Sequence, residues 1–478
     1  MTKQLHLAGF LIASHLTHSH PAWRHPLNDL NFLRPEFYQN LGRILERGKF
    51  DFVFFADGLM IPSRYGAGIT DTLRYGSQGA AFLDPAFVVA TMAVATEYIG
   101  LGVTRSTTYS APFELARTFA SLDHLSRGRI AWNVVTSHNT AEAKNFGFEE
   151  HLEHEIRYDK ADEFIEVAYK LWDSWQEDAL VLDKETGLFA DPTKVRHINH
   201  EGRWFKSQGP LTVPRSSFAL ASPKEKTLPK ASPQARPAIM QAGSSDRGKE
   251  FASRWAEILF EIDPTPEGRK AYYDDVKSRA VKYGRNPDDI KIFPAVIPFV
   301  GETEAMSNDK PLRVYAKEKQ AFHNQLVDPI AGLVTLSSHM DYDFSQLPLD
   351  EPVKDVQVGG IRGLFELALR LSKKEGLTLR DIGRLYAEGI LLPHLVGTPT
   401  QIADQLEESF KNGEADGFII SAAYLPGAFE EFVEFVVPEL QRRGLFRKEY
   451  TGKTLRDHLL LGKASLTPPV RQPEPVGI

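Results

Sequence analysis

The sequence predicts a (β/α)8 barrel, and three observations predict it. Short apolar runs alternate with amphipathic helical stretches along most of the 478 residues, the pattern of a parallel α/β fold. The run at 130–135, IAWNVV, is apolar enough to be a strand buried on both faces. Each run also ends in polar residues, where such folds place ligands. Eight strand–helix units fit a closed barrel; a doubly wound open sheet is the alternative.

In order, strand-like 5–12 runs into a loop holding His15, His18, His20 and His25. Helical periodicity over 37–48 ends at Gly48, and strand 50–56 closes on Asp57. A helix over 85–96 has Asp84 as its N-cap and Pro85 in its first turn. Strand 99–103 ends in Thr104 and Arg105, helix 112–125 follows, and strand 130–135 opens onto Thr136, Ser137 and His138. A loop containing Asn145 and Gly147 leads to a helix over 157–175 whose approach carries His154, one turn before Tyr158. Strand 237–241 precedes Gly243, Ser244 and Ser245, then helix 249–256 and strand 258–262. Helix 267–283, strand 290–300, helix 399–412, strand 417–423 and helix 429–443 complete the eight units. The chain reads as one barrel domain over 1–478. It carries insertions at about 176–236 and 301–393 and an extended tail from about 460.

Composition limits the function. A hydrophobic share of 42% and a charged share of 25% are those of a globular protein. A net charge of −7 argues against a nucleic-acid or anionic-membrane surface. The absence of cysteine removes disulfides, thiolate nucleophiles, iron–sulfur clusters and cysteine-ligated zinc. The N-terminal segment has no signal-peptide pattern and no apolar run long enough for a bilayer, so a cytoplasmic location is expected.

Neither a dinucleotide-binding GxGxxG nor a P-loop is present. The loop Gly243–Gly248 has small residues, two hydroxyls and a helix N-terminus behind it, a set suited to phosphate and equally to an ordinary helix cap. The histidines at 15, 18, 20, 151 and 154 lack convergent carboxylates, so hydrogen bonding in a pocket is expected in place of a metal site. Asp57 fits either acid–base chemistry or a backbone hydrogen bond. Residues alone give a barrel holding a phosphorylated ligand, its reaction open.

The strings HLAGF (6–10), ERGKFDFVFFADG (46–58), LDHLSRGRIAWNVVTS (122–137), EHEIRYDKADEF (153–164) and MQAGSSDRG (240–248) resemble one family. It is the group of flavin-dependent monooxygenases acting on nitrilotriacetate, long-chain alkanes and dibenzothiophene sulfone, within the bacterial-luciferase-like superfamily. LSSHMD (336–341) and DGFIISAAYLPG (416–427) are most similar to the sulfone branch. The resemblance implies reduced FMN, delivered by a separate NAD(P)H:flavin reductase, with O2 as co-substrate, and a homodimer or homotetramer. It places Asp57, Thr104, Asn133, Thr136, His154, Tyr158, Gly243, Ser244 and Ser245 at the flavin. Phe10, His20 and His339 fall on the substrate side, with Trp132 as an apolar wall. His138, on the strand-end rim, is expected to hydrogen-bond or transfer a proton during oxygenation; with His20 and His339 it forms the expected catalytic set. His138 stands where the sulfone branch has a hydrophobic residue, and residues 216–235 lengthen a loop, so the substrate is less determined than the cofactor. Rival readings are a deazaflavin-dependent oxidoreductase on the same fold and a non-catalytic flavin binder.

Overall fold

The computed structural model describes residues 3–66, 68–215, 234–301, 312–462 and 464–470. Its strands are β1 (His6–Ile12), β2 (Phe52–Ala56), β3 (Gly100–Ser106), β4 (Ile130–Val135), β5 (His200–Glu201), β6 (Lys206–Ser207), β7 (Ala238–Gln241), β8 (Ile258–Glu261), β9 (Lys291–Val300), β10 (His394–Gly397) and β11 (Gly417–Ser421). Eight of them form a closed parallel ring, β1-β2-β3-β4-β7-β8-β9-β11, with β11 returning to β1. These eight are the predicted strands. An unpredicted strand, β10, extends the sheet by pairing with the last four residues of β9.

Alternation along each strand sorts side chains into two layers. Phe10, Phe54 and Phe260 face the lumen, with ring centroids 4.5 Å apart for Phe10–Phe54 and 4.8 Å for Phe10–Phe260. Gly102 makes room for them: a Cβ there would lie 2.6 Å from that of Phe54. The opposite faces pack on helices α1 (Pro35–Arg47), α3 (Pro85–Ala93), α4 (Pro112–Leu125), α6 (His154–Trp172), α7 (Asp246–Trp255), α8 (Pro266–Lys282) and α13 (Pro399–Lys411), and on a last helical stretch, while the short α2 (Thr70–Tyr75) lies in the connection after β2. The Asp84 side chain caps α3 as predicted, accepting from the Ala86 amide at 2.8 Å.

Three expectations need correction. Where a loop was expected around Asn145, the chain forms the short helix α5 (Thr140–Asn145), capped by Asn139. Helix α6 begins at His154, one turn earlier than the periodicity implies, because its first turn is polar and solvent-facing and adds no apolar repeat. Trp132 does not line a substrate pocket. As an outward residue of β4 it is fully buried against Phe119 of α4 and Phe164 and Trp172 of α6, its indole N–H donating to the Arg105 carbonyl.

The excursion after α6 contains the β5–β6 hairpin, and residues 216–233 of the lengthened loop lie outside the described residues. Just before the expected tail, residues 455–458 form an ordered plug under the barrel. Leu455 is buried beside Gly100, and Arg456 pairs with the buried Glu257. Beyond Pro469, whose carbonyl accepts from Arg254, the chain continues past residue 470 outside the described residues. The second insertion folds into α9 (Leu312–Gln325), α10 (Pro329–Met340), α11 (Arg362–Glu375) and α12 (Leu379–Gly389), the last three around their own apolar core of Leu333, Leu336, Leu364, Phe365 and Ile382. It lies across the C-terminal mouth of the barrel.

Candidate active site

Two groups of residues meet under this insertion. The first is a cradle where two helix N-termini converge. His154 opens α6, and Ser245 is the N-cap of α7. His154 Nε2 lies 3.3 Å from Ser245 Oγ. The His154 and Tyr158 rings are 5.0 Å apart on one helix face, as their spacing requires. Ser245 accepts from the Gly248 amide at 3.1 Å, so the cap reading of this loop is realised, and its hydroxyl can still donate outward. The Gln241 side chain accepts from the Gly243 amide at 2.7 Å, and Tyr272 donates to the Gly243 carbonyl at 2.9 Å. The loop is closed tightly: a Cβ on Gly243 would come within 2.9 Å of the Gly248 Cα. Ser244 remains exposed above it, against Gly363 at the start of α11. Two positive dipole ends, an imidazole and two serine hydroxyls suit an oxyanion.

The second group surrounds the lumen. Asn133 and Thr104 face inward side by side; Asn133 Nδ2 donates to Thr104 Oγ1 at 2.8 Å, and Thr104 donates to the Phe55 carbonyl at 2.7 Å. Asn133 Oδ1 is buried without a partner. Thr136 holds the rim through its carbonyl, which accepts from Thr108. Asp57 accepts from the Gly58 amide and pairs with Arg105 at 3.2 Å; Arg105 also pairs with Asp84. Burial, reinforced by Asp84 and Glu142, outweighs Arg105 and pushes the Asp57 carboxyl up to about 7.

Four imidazoles close the mouth. His18 stacks on Phe10. His20 lies 3.2 Å from Thr335 Oγ1 on α10. His138, from the β4 rim, and His339, from α10, meet edge to face at 5.7 Å. His18 Nδ1, His20 Nδ1 and His138 Nε2 are buried without partners. Burial, with His15 near His20 and with His138 and His20 near His339, lowers the pKa of His20 and His339 to about 3, and burial lowers that of His138. At neutral pH these are therefore uncharged hydrogen-bonding rings. Enclosure thus opposes the charged form of His138 and favours hydrogen bonding among the roles expected of it.

The sequence-predicted site residues other than Trp132 thus gather at one end of the barrel. Sequence reasoning missed His18, Tyr386 and Arg157. Arg157 donates to the Ser137 carbonyl at 2.6 Å and contacts His151, holding Ser137 at a φ of 56°. His18 was visible in the His-rich loop; Tyr386 carried no signal, because only the fold brings α12 to the site. Among the described residues, no three of His, Cys, Asp and Glu converge as a metal site. No described helix is long and apolar enough to cross a membrane.

A parallel barrel with its polar rim, oxyanion cradle and histidine-lined mouth at the strands' C-terminal ends is the architecture of a TIM-barrel enzyme. Residues 15–416 match the Luciferase-like monooxygenase family, and the chain belongs to it; it is a flavin monooxygenase of that family. Among curated proteins it is 48% identical over 462 residues to the dibenzothiophene-sulfone monooxygenase of Rhodococcus erythropolis (strain XP), covering 96% of each chain. It is 40% identical to nitrilotriacetate monooxygenase component A of Aminobacter aminovorans, covering 96% of this chain and 97% of the other. The crystal structure of long-chain alkane monooxygenase superposes with a TM-score of 0.82 at 35% identity, covering 96% of both chains.

Proposed function

We propose that this protein is the oxygenase of a two-component system. It takes reduced FMN from a separate NAD(P)H:flavin reductase and uses O2 to oxygenate a neutral aromatic sulfone, with cleavage of a C–S bond. When bound, the reduced flavin supplies the two electrons that activate O2. The chain fits this group: the His154/Ser244/Ser245 cradle suits its phosphate, and the unpartnered Asn133 Oδ1 beside Thr104 offers a buried acceptor to a ring N–H. Asp57 lies on the same rim, and the Phe10–Phe54–Phe260 wall keeps water from the reacting centre. One oxygen atom of O2 ends as a hydroxyl on the carbon next to sulfur, the sulfinate leaves with the electron pair of the broken C–S bond, and the other oxygen atom ends as water, the two further electrons this requires coming from NADH through the reductase.

What carries the substrate class is the enclosure of the mouth's four imidazoles, which favours their neutral forms. The nearby arginines are engaged. Arg64 pairs with Asp341 at 2.8 Å, Arg24 donates to the Leu326 carbonyl, and Arg105 pairs with Asp57 and Asp84. An aminopolycarboxylate would bring several negative charges to a mouth where, among the described arginines, Arg64 and Arg105 already hold carboxylates and Arg157 is turned to the Ser137 carbonyl and His151. An alkane would leave the buried His18 Nδ1, His20 Nδ1 and His138 Nε2 without partners. A neutral aromatic molecule with strong acceptor oxygens satisfies both the aromatic wall and the imidazole donors. The exposed Phe87 of α3 and Val94 just beyond its end support self-association as a homodimer or homotetramer.

The test supplies a flavin reductase, NADH and FMN and follows oxygen-dependent product formation from an aromatic sulfone, a long alkane and nitrilotriacetate. Sulfinate from the sulfone alone is the expected result. Turnover of only another substrate, or peroxide release with all three, would overturn the sulfone assignment.

A further inference from the structure

Helices α10 and α12 cross with their backbones in contact: a Cβ on Gly332 would come within 1.8 Å of the Gly383 carbonyl oxygen. Two turns beyond Gly332 stands His339, and one turn beyond Gly383 stands Tyr386. The crossing brings the Tyr386 hydroxyl to 2.8 Å from His339 Nδ1. Tyr386 is fully buried, and burial raises its pKa well above 10, so it is a neutral phenol. Among the described residues, His339 is the one hydrogen-bond partner recorded for that hydroxyl.

Direction follows from satisfaction of the donors. If the hydroxyl accepted from an Nδ1–H, its own proton would have no acceptor, leaving a buried donor unsatisfied. If it donates, both groups are satisfied, Nδ1 is the acceptor, and a neutral ring must then carry its proton on Nε2. The ring enters the mouth edge-to-face with His138, whose Nε2 is buried without a partner, and close to His18 and His20.

We propose that Tyr386 is a positioning residue that locks His339 in its Nε2–H tautomer, so that the lid presents a fixed hydrogen-bond donor to the oxygenation site. The proposal deepens the reading above and rests on it for the identity of the bound oxygen atoms. Sulfone oxygens and reduced oxygen species accept hydrogen bonds, so a site for them needs donors of known direction. An imidazole free to exchange tautomers would offer a lone pair for part of the time. A phenol behind it, held by a glycine crossing, removes that alternative.

The experiment uses the full chain labelled with 15N-histidine. Imidazole 15N resonances of the flavin-free protein report the tautomer directly, the His339 signal being assigned by its loss in His339→Gln. A protonated Nε2 and bare Nδ1 are expected in the wild type, and a mixture of tautomers in Tyr386→Phe. That variant should also raise the KM for the sulfone about tenfold while leaving the FMN Kd unchanged. An Nδ1-protonated wild-type ring, or a Tyr386→Phe protein with an unaltered tautomer, would overturn the proposal. Should Tyr386→Phe lose its fold, two isosteres decide: Gln places its amide N–H where Nε2–H lies, and Asn where Nδ1 lies. His339→Gln is expected to keep at least tenfold more kcat/KM than His339→Asn; equal losses would overturn the lock. A retained tautomer lock in a protein that oxygenates none of the panel would instead defeat the functional reading.

Discussion

At the scale of single residues, one pattern recurs: polar groups in this site are buried and neutral, or buried and incompletely partnered. Asp57 is the case that titrates. Its folded pKa is raised from 3.8 to about 7, so the native state binds a proton that the unfolded chain has released. Its stability contribution is present below pH ~4 and is lost as pH rises through 7. Asp57→Asn should therefore raise the melting temperature at pH 8 and change it little at pH 4, with a gain of at most about 4 kcal/mol. Thermal melts across that range check the sign; a uniform shift at all pH values would rule out the carboxyl as its source. His154 and Ser245 carry a different prediction. Removing either should weaken FMN binding about tenfold and leave riboflavin, which lacks the phosphate, nearly unaffected. Flavin fluorescence titrations with both ligands separate the two contributions.

Among the elements, the lid matters most. α10 reaches the rim through His20–Thr335, and Asn139 donates to the Ser338 carbonyl at 2.8 Å. α11 pairs Arg370 with Asp263 beyond β8. Gly332 sets how α10 lies on α12, and a valine there would overlap the Gly383 backbone. Gly332→Val should displace His339 from the mouth, lowering product formed per NADH consumed at least tenfold while the barrel still binds FMN. Measured coupling ratios beside FMN titrations test this; a fully coupled variant would show that the crossing does not set the site. β10 belongs to the same story, since it is the strand by which the chain re-enters the barrel from the lid.

Across the whole molecule, the two ends of the barrel divide the work. The C-terminal mouth holds the unpartnered imidazole and amide atoms of the site, and the opposite floor holds buried ion pairs. Glu257, buried there, accepts from Arg236 at 2.8 Å and from Arg456 of the C-terminal segment at 2.7 Å. Those two guanidiniums hold its carboxyl far below the usual carboxylate range. A depressed folded pKa gives stability that is present above pH ~4.5 and is lost on acidification. Glu257→Gln leaves two buried cations short of a counter-charge and should cost about 3–5 kcal/mol at pH 7. Urea denaturation should find the gap between variant and wild type narrowing toward pH 4; a gap that widened with acid would contradict the network. Loss of this anchor also frees the segment that places Leu455 beneath Gly100.

Much of this was legible without coordinates. The eight barrel strands and the Asp84 cap follow from local pattern, since strand burial and helix capping are written within a few residues. The specific strings around β4 and Gly243 carried the family and the small-residue loop that caps α7. Tertiary structure alone decided what depends on direction and distance. Trp132 lies in an apolar run like its neighbours, and only the barrel's closure determines that its side chain turns outward to α4 and α6. The imidazoles at 18, 20, 138 and 339 are scattered over more than 300 residues, and burial in one mouth fixes their charge state. The Tyr386–His339 contact arises from a glycine crossing inside an insertion. Sequence determines which groups are present; the packed fold sets which way they point and whether water reaches them.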